Sequence, residues 1–518
     1  MKNRIQIVVI LLILMNLHTS CQEQTKYDGE VNVEYTPQHV NLIRPIIEPE
    51  KIYQMSIEGK NFEMLPMPMK DMKNLRELEL SRMNIKDWET SSEVINSFSK
   101  LEELEISALE LNKLPFNPES LPKLKDLDLI AAKGYSLDKE INKILQLKRL
   151  EFLCVGGLKT DHLPTELRNH NGLKRFHFGY HKENFDYEEA IEIVSQMPSL
   201  EHIQFDIVEF ETIPDNIHKL DHLKKLGFYN GSFDISAMLR RVKKWKKLEM
   251  LEFKNMDIQT LPNEITEIKT LRTLKLHNNR NLDHQKLFRQ LAELPHLEEL
   301  VISKTILNEQ HDRFVMPQEL AELKNLKRLD MATSRNVVFD SLFNVLAKLP
   351  KLEKLDLYDC KTYLDKDWEF TTIPNYIHEF QNLKELNLKR TFINILRNVE
   401  KFPPSLEKLN FSQVGFGREG IFPPVILKTR SLISLNLNDC ELKELPEEIG
   451  NLTNLVHLDL GNNQLRELPE SITKLKKLRY LNLMGTYISE SKEKRREIEQ
   501  MLPNTLVFFG EYEAYEPL

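Results

Sequence analysis

At 518 residues, with 41% hydrophobic and 29% charged side chains, the chain has the balance of a soluble fold. It could hold several ordinary domains or one long repeat array that needs no single large core. Its net charge of −8 is spread along the chain and its 16 glycines are few for the length. A basic nucleic-acid-binding tract, collagen-like segments and long flexible linkers are therefore excluded.

The chain opens on Lys2 and Arg4, followed by an almost wholly apolar run from Ile5 to Leu17 and then His18-Thr19-Ser20-Cys21. A charged start, a short apolar run and small residues before a break read as an export signal over residues 1–20. A membrane-spanning helix would need about 20 apolar residues, more than this run supplies. The stretch ending in Ser20-Cys21 resembles a bacterial lipoprotein signal, although His18 stands where such signals usually carry an aliphatic residue. The resemblance implies lipidation at Cys21, hence anchoring in a cell envelope, with the outer membrane or cell surface as the expected address. Residues 21–50 lack any repeat and are expected to combine a tether with an N-terminal cap.

From there one pattern, Leu-x-x-Leu-x-Leu, governs the chain. It runs from LRELEL (75–80), LEELEI (101–106) and LKDLDL (124–129) to LVHLDL (455–460) and LRYLNL (478–483), seventeen copies in all, with IYQMSI (52–57) as a degenerate first strand. The last two leucines of each copy alternate as on a short strand and point to one side. The other residues must carry the chain back to begin the next strand, and no single copy can bury its own leucines. Neighbouring copies must therefore stack into a continuous core. The pattern resembles the leucine-rich repeat family over 51–488, as in exported bacterial lipoproteins that carry such repeats. The expected fold is α/β: a horseshoe-shaped solenoid with a parallel sheet on the concave face and return segments on the convex one.

The return segments have their own rhythm. From Ile52 the repeat lengths run 23, 26, 23, 26, 23, 27, 23, 25, 23 and 26. Short copies carry Leu-Pro or Ile-Pro after the strand, as in LPTEL, IPDNI, LPNEI, LPEEI and LPESI, which predicts a short extended or first-turn return. Long copies predict helices. Asp186 with Glu189 makes a capping-box-like start ahead of Ala190, Ile193, Val194 and Met197, and Asp340 is expected to open a second such helix over Leu342, Phe343, Leu346 and Leu349. The family's asparagine after the strand survives only at Asn279 and Asn463, so its buried hydrogen-bond ladder is not expected to run through the array. Residues 489–518 predict a polar helix (489–501), a sealing strand (502–509) and an acidic tail.

The motifs that would signal catalysis fail on context. Gly415, Gly417 and Gly420 spell G-x-G-x-x-G, but Ile421-Phe422-Pro423-Pro424 comes next, where a dinucleotide site needs a helix. His378-Glu379 begins a metalloprotease-like motif that ends on Asn382 rather than histidine. His218 and His222 straddle a return segment and read as surface residues. No Walker lysine, G-x-S-x-G or paired-cysteine zinc motif occurs, and no catalytic, cofactor or metal residue is assigned. Cys360 and Cys440 occupy the asparagine slot three strands apart, about 14 Å, too far to bridge. Cys154 is expected on the concave face without an activating base.

What remains is a binding surface. Strand positions in the first copies present Glu77, Glu79, Glu102, Glu103, Glu105, Asp126, Asp128 and Glu151. Later ones present Lys174, Arg175, His177, Lys224, Lys225, Lys254, Arg272, Lys275 and His277, with Tyr180 and Tyr229 among them. The surface is read as running from acidic to basic, a gradient that could orient a charged partner. Two repeats are lengthened, one by 306–314, which contains Arg313 and Phe314, and one by 362–370, which contains Tyr363, Trp368 and Phe370. Insertions in repeat arrays often lie at binding faces, and aromatic anchors suit interface centres. The expected function is a non-catalytic protein-binding scaffold. A glycan or cell-wall binder is the alternative, and an envelope enzyme a more distant one.

Overall fold

The computed structural model describes residues 32–35 and 52–509. Excepted within that span are 59–61, 112, 132–135, 158–160, 180–184, 207–212, 281, 307–312, 361–371, 392–395, 397 and 417–419. The expected export signal, Cys21, most of 21–50 and the acidic tail lie outside the described residues, as do Tyr180, Tyr363, Trp368 and Phe370. The chain divides into two compact units, one ending at Phe233 and one spanning Asp234–Gly510.

The first unit is a parallel sheet of β1 (Asn32–Tyr35), β2 (Gln54–Glu58), β3 (Glu77–Met83), β4 (Glu103–Ala108), β5 (Asp126–Ala131), β6 (Phe152–Gly156), β7 (Arg175–Gly179), β8 (His202–Asp206) and β9 (Lys225–Tyr229). Each strand pairs with the next in sequence, so each repeat lies on its predecessor: Leu78 aligns with Leu104, Leu104 with Leu127 and Leu127 with Leu153. The leucines enter the core, and towards the end of the unit phenylalanines replace them. Phe178, Phe205 and Phe228 are in register and at most 1% exposed, with ring centroids 5.1 and 5.4 Å apart.

Behind the sheet the returns alternate as their lengths predict. Helices α1 (Trp88–Ile95), α2 (Leu137–Ile144) and α3 (Tyr187–Ser195) alternate with 3-10 turns at Met67–Asp71, Pro118–Ser120, Thr165–Asn169 and Asp215–Leu220. Pro164 and Pro214 stand at the N-cap of their turns, where a missing N–H costs nothing, and Leu167 N donates to the Pro164 carbonyl at 3.0 Å. Asp186 caps α3 by accepting from Glu189 N at 2.8 Å, the first half of the expected capping box.

The second unit continues with β10 (Met250–Lys254), β11 (Thr273–Lys275), β12 (Glu299–Val301), β13 (Arg328–Asp330), β14 (Lys354–Asp356), β15 (Glu385–Asn387), β16 (Lys408–Asn410), β17 (Ser434–Asn436), β18 (His457–Asp459), β19 (Tyr480–Asn482) and β20 (Leu506–Phe508), again parallel and in sequence order. Its helices are α4 (Ile235–Val242), α5 (His284–Leu291), α6 (Phe339–Leu346), α7 (Pro424–Leu427), α8 (Tyr487–Glu490) and α9 (Lys492–Met501). Asp234 and Asp283 cap α4 and α5 as Asp186 caps α3. The expected Asp340 cap is not observed: α6 starts one residue before it, from an uncapped Val338, and Asp340 sits in the first turn. The thin–thick alternation also ends here, because two 23-residue copies in succession place the turns Glu447–Asn451 and Glu470–Lys474 side by side. Each unit is thus an open α/β solenoid, with a parallel sheet on one side and returns on the other.

Candidate functional site

The strand face of the first unit carries two rows of carboxylates. Glu77, Glu103 and Asp126 align in register, as do Glu79, Glu105 and Asp128, all on β3, β4 and β5. Adjacent strands are about 4.8 Å apart, so six acidic side chains share a narrow strip. In the first row Arg175, arriving from β7, pairs with Asp126 at 2.8 Å and lies over the Phe152 ring at 4.5 Å. The second row is held by neutral groups: the Ser81 hydroxyl donates to Glu79 at 2.6 Å and the Cys154 thiol to Asp128. Loss of hydration on this face, followed by the neighbouring Asp128 and Glu79 charges, pushes Glu105 up to about 7. Burial raises Asp128 to about 6, against the lowering effect of the thiol bond.

The same row continues through Cys154 and His177. Burial, with the Asp128 carboxylate beside it, raises the Cys154 thiol well above its ordinary value, the reverse of what a nucleophile needs. His177 lies edge-on between Phe152 and His202, with ring centroids 4.8 and 4.9 Å away. Burial and the Arg175 charge push it down to about 3, so it is neutral at physiological pH. Tyr229, at the end of β9, is half-buried and aligned with Asp206.

In the second unit Lys254 is exposed at the end of β10. His277 bonds Ser303 through Nδ1 at 2.6 Å, and its Nε2 is 3.7 Å from Glu252. Burial, reinforced by Lys275, Lys254, Arg328 and Lys304, pushes His277 down to about 3. The expected acidic-to-basic gradient needs correction on both counts. The two histidines carry no charge, and several of the bases are matched by carboxylates one repeat away. Lys174 pairs with Glu151 at 2.9 Å, Lys224 with Glu201 at 2.8 Å, and Arg272 with Glu298 at 2.9 Å. Farther along, Glu298 also takes Lys327, Glu353 takes Lys384, and Glu385 takes both Lys354 and Lys408. Stacked repeats place equivalent positions side by side, and opposite charges there neutralise one another.

The 306–314 segment is stitched into the array at both ends. Ile306 is 2% exposed and its carbonyl accepts from Arg335 N at 2.8 Å. Phe314 N donates to the Asn336 carbonyl at 2.8 Å, and its ring meets His284 edge-on at 5.1 Å. Phe314 therefore packs on the preceding repeat rather than standing out as an anchor, whereas Arg313 is exposed.

Sequence reasoning missed the chemistry of the strand ends. Asn279 and Asn463 occupy the expected slot. Asn463 Oδ1 accepts from Cys440 N and Leu442 N, and its Nδ2 donates to the carbonyls of Leu437 and Leu460. Cys360 and Cys440 are unbridged and buried, and each thiol reaches back one repeat, to the carbonyls of Met331 and Phe411, at 3.2 Å. Thr305, Ser334, Thr391 and Thr486 instead bond a carbonyl three residues earlier in their own turn. The ladder thus continues in altered form where asparagine is absent.

No group of His, Cys, Asp and Glu suited to a metal occurs among the described residues, and no described helix is long and apolar enough to cross a membrane. The family profile described as a leucine-rich repeat region matches residues 209–418 and 425–500. Over 185 residues the chain is 25% identical to the volume-regulated anion channel subunit LRRC8D of Rattus norvegicus, covering 32% of this chain and 21% of that one. The chain thus spans about a fifth of the length of that relative. Among solved structures, a leucine-rich-repeat protein of Leptospira interrogans is 22% identical with a TM-score of 0.38, covering 89% of this chain and 97% of its own. TLR13 in complex with ssRNA13 is 18% identical with a TM-score of 0.47, covering 89% of this chain and 64% of its own. With the repeat pattern, its stacked parallel strands and a family match over more than half of the residues, the chain belongs to the leucine-rich repeat proteins.

Proposed function

We propose that this protein is a non-catalytic binding scaffold, exported and lipid-anchored through Cys21, that holds a protein partner on the strand face of its first unit. The observation that carries the reading is the double row of six carboxylates on β3, β4 and β5, whose inner row is held by a hydroxyl and a thiol rather than by bases. A surface that leaves like charges crowded together is complementary to lysines and arginines on a partner. The leader supports export, since a charged start, a short apolar run and Ser20-Cys21 form the pattern of an acylated envelope protein.

The test is capture of partners from envelope and host extracts on the mature chain, read by mass spectrometry, with the Glu79→Gln/Glu105→Gln/Asp128→Asn variant run in parallel. A basic partner that binds the parent chain, weakens with added salt and is lost by at least tenfold with the variant supports the reading. Equal capture by both chains removes the carboxylate rows from it. Cys21→Ala in the full chain should move the protein from the membrane to the soluble fraction, and unchanged partitioning would end the lipid-anchor assignment.

A further inference from the structure

The strands of the second unit end in a recurring rung. The residue between the two core positions of L-x-L folds its side chain over the turn and accepts the backbone N–H two residues ahead. Asp330 does so with Ala332, Asp356 with Tyr358, Asn387 with Lys389, Asn410 with Ser412, Asn436 with Asn438, Asp459 with Gly461 and Asn482 with Met484, at 2.9–3.2 Å. These rungs stack in register. Most of them are asparagine, whose amide can also donate to a neighbouring rung. Asn387 donates to Asp356 at 3.1 Å, and Asn482 to Asp459 at 2.9 Å.

At one step two carboxyl groups adjoin: Asp330 lies in register beside Asp356, and the two are 3% and 5% exposed. Asp356 uses Oδ1 for both Tyr358 N and Asn387 Nδ2, while its Oδ2 is buried with no partner among the described residues. Four rungs carry a neutral amide and Asp459 lies between two of these, whereas here a carboxyl lies next to another carboxyl. We infer that Asp356 is held as the neutral acid, with the proton on Oδ2, so that the turn after β14 loosens when that proton is lost. Burial first, and the Asp330 charge second, raise Asp356 to about 7. The Tyr358 N–H, the Asn387 amide and the Arg328 charge act in the opposite direction. On the Asp330 side, Arg328 comes to 3.6 Å of Oδ2 and also pairs with Glu299 at 3.1 Å, with Lys275 farther along. On the β15 side, Glu385 is neutralised by Lys354 and Lys408. On the turn itself, Asp359 is engaged by Arg335 and Arg390, and the Cys360 thiol is pushed up by burial.

The direction follows from linkage. An aspartate in the unfolded chain titrates near about 3.9. A carboxyl held higher in the folded state contributes stability that is complete below that value and is lost as pH rises through its folded value, here about 7. The experiment is thermal unfolding of the full chain between about pH 4 and pH 9, with infrared spectra of the carboxylic-acid carbonyl band at about pH 6. The parent chain should melt progressively lower as pH rises to about 7. Asp356→Asn, which keeps the rung, should flatten that slope, melt above the parent at alkaline pH and lack one acid carbonyl band. Asp330→Asn, which removes the neighbouring charge, should shift the slope to lower pH. Parallel pH profiles for the parent and Asp356→Asn overturn the inference. If Asp356→Asn fails to fold, an unshifted slope in Asp330→Asn overturns it.

Discussion

The two units are built on the same L-x-x-L-x-L spacing, yet their strands differ in length. In the first unit β2 to β9 run five to seven residues, whereas in the second β10 still runs five and β11 to β20 run three. The leucines cannot be the cause, because they are spaced alike. The difference lies in the residues just beyond the last leucine. The third residue after the middle position of L-x-L is left-handed at Arg82, Gly157, Asn230 and Asn255 as well as in every repeat from Asn278 through Lys304, Thr333, Asp359, Arg390, Gln413, Asp439 and Asn462 to Gly485, so the left-handed turn is not the difference. What differs is the residue that follows: from Asn279 on it anchors the turn with a polar side chain, with Val414 the apolar exception, whereas after the five-residue β10 the slot holds Met256. The first unit has Met83 in that slot after β3, and there the strand runs on. Core spacing sets where a strand begins, and the polar turn sets where it stops.

The largest effect that would sharpen this contrast is in the core, where the two units should respond alike. Phe178→Ala in the phenylalanine stack and Leu355→Ala in the second unit should each cost about 2–5 kcal/mol by denaturant unfolding, since both empty a fully enclosed site. A much smaller cost in one unit would mean that its core is loosely packed. A middle effect separates the turns by bonding. Asn463→Ala removes five bonds to buried backbone groups and should cost about 2–3 kcal/mol, whereas Thr391→Val removes the local bond to Leu388 and should cost about 1 kcal/mol. Equal costs, measured by the same unfolding, would break the distinction between bridging and local slots. The smallest effect has the opposite sign. Thr333 is β-branched at φ 59, a backbone region in which asparagine is far better tolerated, so Thr333→Asn should stabilise by up to about 1 kcal/mol. A lower melting temperature for that variant would mean that the Thr333 hydroxyl, bonded to its neighbour Ala332, matters more than the backbone strain.

Much of the scaffold could be read before any coordinates, because aliphatic spacing and Leu-Pro turns act through local geometry alone. The 3-10 turns after Pro164, Pro214, Pro262, Pro446 and Pro469 and the helix opened by Asp186 follow from residues a few positions apart. The charge pattern was less legible. Lys174 meets Glu151 and Arg175 meets Asp126 across one and two repeats, contacts that depend on stacking register rather than on nearness in the chain. Phe314 looked like an anchor because its segment lengthens a repeat, but the ring packs on His284 from another turn. Cysteine at the asparagine slot gave no sign that a thiol could stand in as the donor between repeats.

Gly461 has a consequence for how such an array can change by duplication. A side chain there would meet the Asn438 amide at 2.5 Å and the Asn482 amide at 2.8 Å, groups contributed by the repeats on either side. Those amides also reach Asp459 beneath the same turn. Three successive copies are therefore fitted to one another as a set. One of them copied alone and inserted elsewhere would bring a glycine without the amides that fill its space, so these copies are matched as a block rather than as interchangeable parts.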